Sequence, residues 1–473
     1  MAQSNTQTDT DLMLEFLKAR PEFQQFVEQK HREFEKEQVM DPSITSLCEA
    51  INGGNIETAI QIATAMTPEV ISQTDSYGES ILHYITPCEN NDICELLISK
   101  ASTDDLLRVR ESGETAFHLA LQRGYTTFAD CALRIRSDLI PVLANIVNTA
   151  NQVPLHSVAG LENINLTHAV FEHTEPEHIL AANEEGWTVL HDAARCSDVE
   201  FIHLLLSNES IREKLAESKD KYGQTALHIA ASQPDVETLR VLYDVCDMFA
   251  KDDRGYNALH FAAQTKNTAI VDFILNDRHT ASGLFYESDN QGQTCLHWAA
   301  SLGSTDICQQ LIDFSQRYSK SGEASSLVFN QTTESGYTAL HLAVHARSNP
   351  VVAVLVSDPK IGSKLVGTID KYGQTPLIWA ASFGCADICK TLCKVMTADQ
   401  LAIQAKTYLN TALHSAVYST NAETLAVILD YCTSTCPRLF GIKDSKGKTA
   451  IDYAEAMKDH PELEKLIVVA ASQ

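Results

Sequence analysis

The sequence has few basic residues for its length and no long uncharged apolar run. Of its 473 residues, 36 are Lys or Arg and 62 are Asp or Glu, which gives a formal net charge of −26. Clustered basic side chains provide the affinity for phosphate backbones, so we expect no nucleic-acid partner. No stretch of about 18 apolar residues is present, and no basic segment followed by an apolar core, so we expect neither a membrane span nor a signal peptide.

The cysteines are not grouped as they would be in a small disulfide framework. Thirteen of them are scattered along the chain, several inside apolar helical stretches. Such cysteines act as small buried hydrophobic residues. This usage predicts free thiols in a reducing compartment, so we expect a cytoplasmic protein.

One sequence motif recurs along the chain, Gly-x-Thr-x-Leu-His-x-Ala. Its cleanest copies are at 223–230, 292–299 and 336–343. Relaxed copies begin at Gly78, Gly113, Asn151, Gly186, Gly255, Gly373, Leu409 and Gly447. The His position of this motif recurs between residues 83 and 452, with a mean period of about 37 residues.

Eleven copies in register resemble the ankyrin-repeat family, whose units have a period of about 33 residues and a Thr-Pro-Leu-His-x-Ala signature. The resemblance implies an all-α solenoid over residues 43–473, elongated and curved, in which helix pairs alternate with hairpin-like loops. It also implies terminal capping repeats, because stacked repeats need covered ends. The copies are longer than the family period, and we expect the surplus to form loop insertions, mainly at 314–333.

One copy shows why these residue types recur. Gly223 supplies the backbone freedom of a tight turn. Thr225 stands at the N-cap of the first helix. A second helix is predicted over 236–245, where apolar residues recur at helical spacing. Neither helix can bury its apolar face alone, so neighbouring repeats must stack.

The two ends of the chain differ from the repeats. Residues 1–42 form an extension that begins with a polar tail and continues with two predicted helices at 11–19 and 21–38. These helices either cap the array or present an amphipathic helix to a partner. Residues 44–62 indicate a degenerate first repeat with its loop at 52–55, and 447–471 indicate a closing repeat in which Asp452 replaces His.

Several groups of residues could carry chemistry, and each has a structural alternative. The resemblance assigns the nine motif histidines to hydrogen bonds with the motif Thr and turn backbone. Gly447-Lys448-Thr449 lacks the earlier glycine of a phosphate-binding loop. His168, His173 and His178 have ligand types that suit zinc, but their spacing does not align on one helical face. Cys385, Cys389 and Cys393 form one helical stripe, which is also what a buried face requires. We expect no catalytic residue, metal or cofactor.

The resemblance implies that partners bind at the hairpin tips and along the concave side of the first helices. Aromatic residues flank the motif glycine, and basic or aromatic residues follow the first helix. Aromatic residues and arginine are enriched in binding hot spots. We therefore predict partner contacts from Tyr77, Trp187, Tyr222, Tyr256, Tyr337, Tyr372, Arg195, Arg254 and Phe383. Trp298 and Trp379, one place after the His position, are predicted to pack between repeats.

These features predict a monomeric, non-catalytic scaffold or adaptor that binds a protein with a basic or neutral surface. Irregular whole-chain arrays are also similar to effectors that intracellular bacteria translocate into the host cytosol. Such an effector would bind a host protein through the same surface. An alternative of another class is an enzyme with a cryptic site in the N-terminal extension or the 314–333 insertion.

Overall fold

A computed structural model describes residues 40–161, 163–318 and 333–457, together with His460 and Leu463. The chain divides between Leu215 and Ala216 into two compact units, here called the N-terminal and C-terminal units. The helices predicted at 11–19 and 21–38 lie outside the described residues, as does most of the segment after 457. None of the helices in the described part combines the length and apolar character needed to cross a bilayer.

Each motif copy begins a short helix, here called a first helix, in both units. A degenerate repeat precedes them, with helices Pro42–Asn52 and Ile56–Ala65 on either side of the predicted loop. The remaining first helices are Ile81–Tyr84, Ala116–Gln122, the 3-10 turn Pro154–Ser157, Val189–Cys196, Ala226–Ser232, Ala258–Gln264, Cys295–Ser301, Ala339–His345, Pro376–Ser382, Ala412–Tyr418 and Ala450–Ala456.

A second helix follows most first helices. After Ile56–Ala65 these are Asn91–Lys100, Thr126–Ile135, Ile164–His173, Val199–Ser207, Val236–Tyr243, Thr268–Asn276, Thr305–Tyr318, Asn349–Leu355, Ala386–Cys393 and Ala422–Thr435. Asn or Asp caps many of them. The carboxylate of Asp235, for example, accepts the amides of Glu237 and Thr238 at 3.2 and 2.9 Å, which satisfies amides that have no partner within the helix.

Helices of the same kind pack on one another within each unit. First helix contacts first helix and second helix contacts second helix in successive repeats. The motif alanines make this possible, because Ala230, Ala262 and Ala299 have no exposed surface. The core is therefore a continuous layer between the two helix rows of each unit.

A short third helix, rather than an open loop, accounts for much of the surplus length. Such helices are Pro68–Ile71, Thr103–Leu106, Ile140–Leu143, Pro176–Leu180, Glu209–Glu217, Arg278–Leu284, Pro359–Leu365, Ala398–Leu401 and the 3-10 turn Pro437–Gly441. Each segment buries apolar side chains, such as Ile71, Ile179 and Leu401. The prediction that the surplus is mainly a loop at 314–333 is therefore wrong in two respects: other repeats share the surplus, and 314–318 continues the helix Thr305–Tyr318. Residues 319–332 lie outside the described residues.

Most hairpins between repeats owe their shape to an Asp or Asn three places before the glycine position. In one hairpin the Asp220 carboxylate accepts the amides of Tyr222 and Gln224, both at 2.8 Å. Gly223 follows with φ of +75°, in the left-handed region that favours glycine. The Tyr222 carbonyl then accepts the amide of Asp253 in the next hairpin at 3.0 Å. Backbone bonds of this kind join successive hairpins within each unit.

Candidate functional site

Several motif histidines connect one hairpin to the next through both ring nitrogens. The Thr225 amide donates to Nδ1 of His228 at 3.0 Å. On the other side of the ring, Nε2 lies 3.0 Å from the Ala250 carbonyl and 3.1 Å from the Tyr256 carbonyl. A carbonyl can only accept, so Nε2 carries the proton and Nδ1 is the acceptor.

The same arrangement recurs at other copies. His118, His341 and His414 accept the N-cap Thr amide at 3.2–3.3 Å and place Nε2 3.0–3.2 Å from a carbonyl of the following hairpin. Burial lowers the pKa of His118, His156 and His341 to about 4. It also lowers the pKa of His83, His228, His260 and His414. These buried neutral imidazoles have a structural role.

Aromatic residues that follow the glycine lie over the motif histidine. The Tyr256 ring stacks on His260 with centroids 5.8 Å apart and packs edge-on against Trp298 at 5.4 Å. Only 8% of Tyr256 is exposed, so its ring packs inside the array, whereas the predicted partner contact requires an exposed side chain. Trp187 and Tyr337 are half-buried and contact His191 and His341 at 6.2 and 6.3 Å.

Aromatic residues that precede the glycine are exposed instead. Tyr77, Tyr222 and Tyr372 expose between 47% and 55% of their surface. Their backbone carbonyls accept hydrogen bonds from the next hairpin, and their side chains extend outward. Tyr408, at 64% exposed, occupies the same position and was missed, because Leu409 stands where glycine is expected. Leu409 adopts φ of +54°, which identifies the equivalent turn.

The predicted residues Tyr337 and Phe383 meet around Trp379 in the C-terminal unit. Trp379 packs at 5.0 Å from Tyr337 and 6.0 Å from Phe383. His345 lies 6.1 Å from Trp379 and 6.0 Å from Phe383. Phe383 and His345 are exposed, whereas Trp379 and Tyr337 are half-buried. We call these four residues the aromatic cluster. The prediction that Trp298 and Trp379 pack between repeats is confirmed, but Trp379 also supports this solvent-facing group.

Arginine side chains lie over several of these rings. Arg195 is 5.8 Å from the Trp187 ring, and Arg254 is 4.5 Å from the Tyr256 ring. Arg347 is 5.8 Å from the Phe383 ring, a contact that the sequence alone does not indicate. Both predicted arginines are more than half exposed, so each offers a cation beside an aromatic face.

The other candidate groups have structural roles in the described residues. His173 Nδ1 lies 2.8 Å from the Ala169 carbonyl, and His178 Nδ1 lies 2.7 Å from the Asn145 side-chain oxygen. Thr449 caps the helix Ala450–Ala456 together with Asp452. Asp452 thus replaces the motif histidine on the N-cap side.

The cysteines also contribute to packing. Cys389 and Cys393 are buried in the helix Ala386–Cys393, and burial raises the pKa of the Cys393 thiol to about 12. All thirteen cysteines are free, and ten of them are buried. Within the described residues, no three His, Cys, Asp or Glu side chains are grouped so as to hold a metal ion.

Comparison with known sequences places this repeated geometry in a family. The description "Ankyrin repeats (3 copies)" matches residues 211–282, 235–325, 278–366, 324–404 and 364–436, and "Ankyrin repeat" matches 185–214. These matches cover more than half of the chain. The protein belongs to the ankyrin-repeat family.

Individual relatives share only part of their length with this chain. The human transient receptor potential cation channel subfamily A member 1 is 25% identical over 250 residues, which is 52% of this chain and 21% of that protein. Human inversin is 26% identical over 232 residues, 48% of this chain and 21% of inversin. The chain thus spans about a fifth of either relative. Among solved structures, the ankyrin repeat domain of Bcl-3, of the IkappaB family, aligns with TM-score 0.40 and 24% identity, over 51% of this chain and 98% of that domain.

Proposed function

We propose that this ankyrin-repeat protein is a non-catalytic scaffold or adaptor that binds a partner protein through its hairpin tips and first helices. The observation that carries the proposal is the aromatic cluster, where exposed Phe383 and His345 border half-buried Trp379 and Tyr337. Aromatic side chains that are already packed lose little conformational entropy on binding, which is why hot spots favour them.

A binding role is consistent with how the chain uses its reactive side chains. The motif histidines hold hairpins together, and burial keeps the pKa of seven of them low. Ten thiols are buried. The free thiols support a reducing, cytoplasmic location, and the net charge of −26 favours a basic or neutral partner surface over most of the chain.

Affinity capture with matched variants tests this proposal. Phe383→Ala combined with His345→Ala removes the exposed half of the aromatic cluster. Phe249→Ala combined with His203→Ala removes an exposed aromatic and an exposed histidine elsewhere. The expected result is a protein that wild type and the control variant recover equally and that the cluster variant recovers at least about tenfold less well. Equal recovery by all three proteins would contradict the proposal.

A further inference from the structure

The last three hairpins of the C-terminal unit are basic on a chain that is acidic overall. Hairpin residues 370–374, 405–410 and 443–448 carry five exposed lysines, namely Lys371, Lys406, Lys443, Lys446 and Lys448. Their only acidic residues are Asp370 and Asp444, which are buried. Each of these two carboxylates accepts two backbone amides of its own hairpin. The charge that faces solvent on these hairpins is therefore positive.

These three hairpins form one continuous surface because backbone bonds join them. The Lys406 amide donates to the Tyr372 carbonyl at 2.8 Å, and the Ser445 amide donates to the Tyr408 carbonyl at 2.9 Å. The exposed rings of Tyr372 and Tyr408 thus lie among the lysines. The Lys371 ammonium lies 5.1 Å from the centroid of the Tyr372 ring.

The lysines are available for a ligand. Among the described residues, none of the five ammonium groups lies within ion-pair distance of a carboxylate. Asp452 is close enough to Lys443 and Lys448 for their charges to help lower its pKa. Its carboxylate, however, is engaged by the amide and hydroxyl of Thr449 at 2.7 and 2.9 Å.

We propose that this basic tip patch, formed by Lys371, Tyr372, Lys406, Tyr408, Lys443 and Lys446, binds an acidic peptide segment of a partner protein. Lysines supply charge-assisted hydrogen bonds to carboxylates, and tyrosines add aromatic area and a hydroxyl. The inference rests on the proposed function, because it gives the charge of one partner segment. It uses none of the residues of the aromatic cluster.

A short acidic segment fits this patch better than a long polyanion. Electrostatic interactions in physiological salt extend only about 8 Å. A peptide confined to three hairpins meets the lysines alone, whereas a nucleic acid or an anionic membrane would extend over the rest of a chain with net charge −26. Because that net charge repels acidic peptides, any binding of one must come from a local patch.

Fluorescence anisotropy with a labelled peptide of alternating glutamate and serine tests the inference on the full-length chain. The variant Lys406→Glu with Lys446→Glu reverses two charges of the patch. The control variant Lys390→Glu with Lys394→Glu makes the same change at two exposed lysines of a second helix and its C-cap. We expect saturable binding that the patch variant weakens at least about tenfold and the control variant leaves within about twofold.

Two results would overturn the inference. One is an absence of saturable binding, or equal weakening by both variants. The other is equal or tighter binding of a single-stranded oligonucleotide or of phosphatidylserine vesicles, which would assign the patch to a different class of ligand. Normal peptide binding by the variant Phe383→Ala with His345→Ala, together with unchanged protein capture, would reject the proposed aromatic site but leave the patch supported.

Discussion

At the scale of single residues, the motif histidine is fixed in one protonation state by its two partners. The N-cap amide requires an acceptor at Nδ1, and the carbonyl of the next hairpin requires a donor at Nε2, as at His228. Adding a proton to Nδ1 turns that acceptor into a donor facing an N–H group. Neutral histidine is therefore part of the fold, and stability becomes dependent on pH.

The unfolding free energy should decrease as the pH falls from about 7 to about 5. The pKa values of seven motif histidines lie below the unfolded value near 6.5, three of them at about 4. The unfolded chain therefore binds more protons in this range, and each histidine contributes a slope of up to about 1.4 kcal/mol per pH unit. Urea denaturation at stepped pH values measures the effect.

One buried group acts in the opposite direction. Burial raises the pKa of Asp192 to about 6, so its contribution favours the folded state at lower pH and is lost as the pH rises through about 6. Burial also raises the pKa of the half-buried Asp130 carboxyl, but two carboxyl groups cannot offset seven histidines. A stability profile that stays flat or rises between pH 7 and 5 would contradict the account of the histidines.

The sequence identifies the hairpin positions but not which side of the glycine faces solvent. Tyr222 and Tyr256 stand on either side of a motif glycine, yet the first is exposed and the second is buried. The difference arises because the ring after the glycine lies over the histidine of its own helix. That contact depends on how the turn places the ring relative to the helix, which the order of residues alone does not indicate.

At the scale of elements, most hairpins are stabilised by their own Asp or Asn side chain and by backbone hydrogen bonds to the neighbouring hairpin. The aspartate three places before the glycine had a recognisable signal, since Asp recurs there at 75, 220, 252, 289, 370 and 444. The second carboxylate oxygen of this aspartate often accepts a hydrogen bond as well. Tyr84, Trp298 and Tyr453 donate to Oδ2 of the hairpin aspartate nine residues earlier, at 2.7 to 3.1 Å.

The third helices could not be predicted from the motif period. The motif period predicted the first and second helices, but the surplus length was assigned to loops. Signals for some third helices were present, because Pro68, Pro176 and Pro359 stand in the first turn of a helix. The helices Pro68–Ile71 and Pro176–Leu180 are too short to show an apolar period, and their stability comes from the repeats against which they pack.

Replacing a hairpin glycine should cost most where another hairpin lies close to it. Gly223 and Gly447 have φ of +75° and +73°, but only at Gly223 would an added Cβ lie 2.9 Å from a backbone amide, that of Asp253. At Gly447 none of the described residues would lie within 4 Å of the added Cβ. We expect Gly447→Ala to cost about 1 kcal/mol of unfolding free energy and Gly223→Ala about 2 kcal/mol or more.

Denaturant titration gives the two free energies, and hydrogen exchange at the Asp253 amide gives a local readout. Only Gly223→Ala should accelerate that exchange, because the added methyl group displaces the amide from the Tyr222 carbonyl. Equal losses of unfolding free energy in the two variants, with unchanged exchange at the Asp253 amide, would contradict this expectation. They would show that the neighbouring hairpin adds nothing to the cost of replacing Gly223.

At the scale of the whole molecule, average composition conceals local charge. The net charge of −26 predicts basic or neutral partners, and that remains the proposal for most of the chain. Hairpin aspartates such as Asp370 and Asp444, however, direct their carboxylates into the turn, whereas neighbouring lysines stay exposed. The net charge of the whole chain therefore has the opposite sign to the last three hairpins, whose residues include five lysines and two aspartates. The geometry of the turn shows which of these charges face solvent.

The family and the repeat architecture were predictable because many copies agree with one another. The binding surface was predictable only in part, because it depends on which variable residues meet. Their positions after the motif glycine and after the first helix predict Tyr337 and Phe383 one by one. Their association through Trp379 required the packing of one first helix against the next.

Site-specific photo-crosslinking tests whether a partner protein binds at the aromatic cluster. The photoreactive residue p-benzoylphenylalanine would replace Phe383 in the aromatic cluster or, as a control, the exposed Phe249 outside it. Irradiation in the presence of a protein recovered by affinity capture should give a covalent adduct from position 383 and little or none from 249. Adducts from 249 alone, or in equal amounts from both positions, would contradict a partner bound at the aromatic cluster.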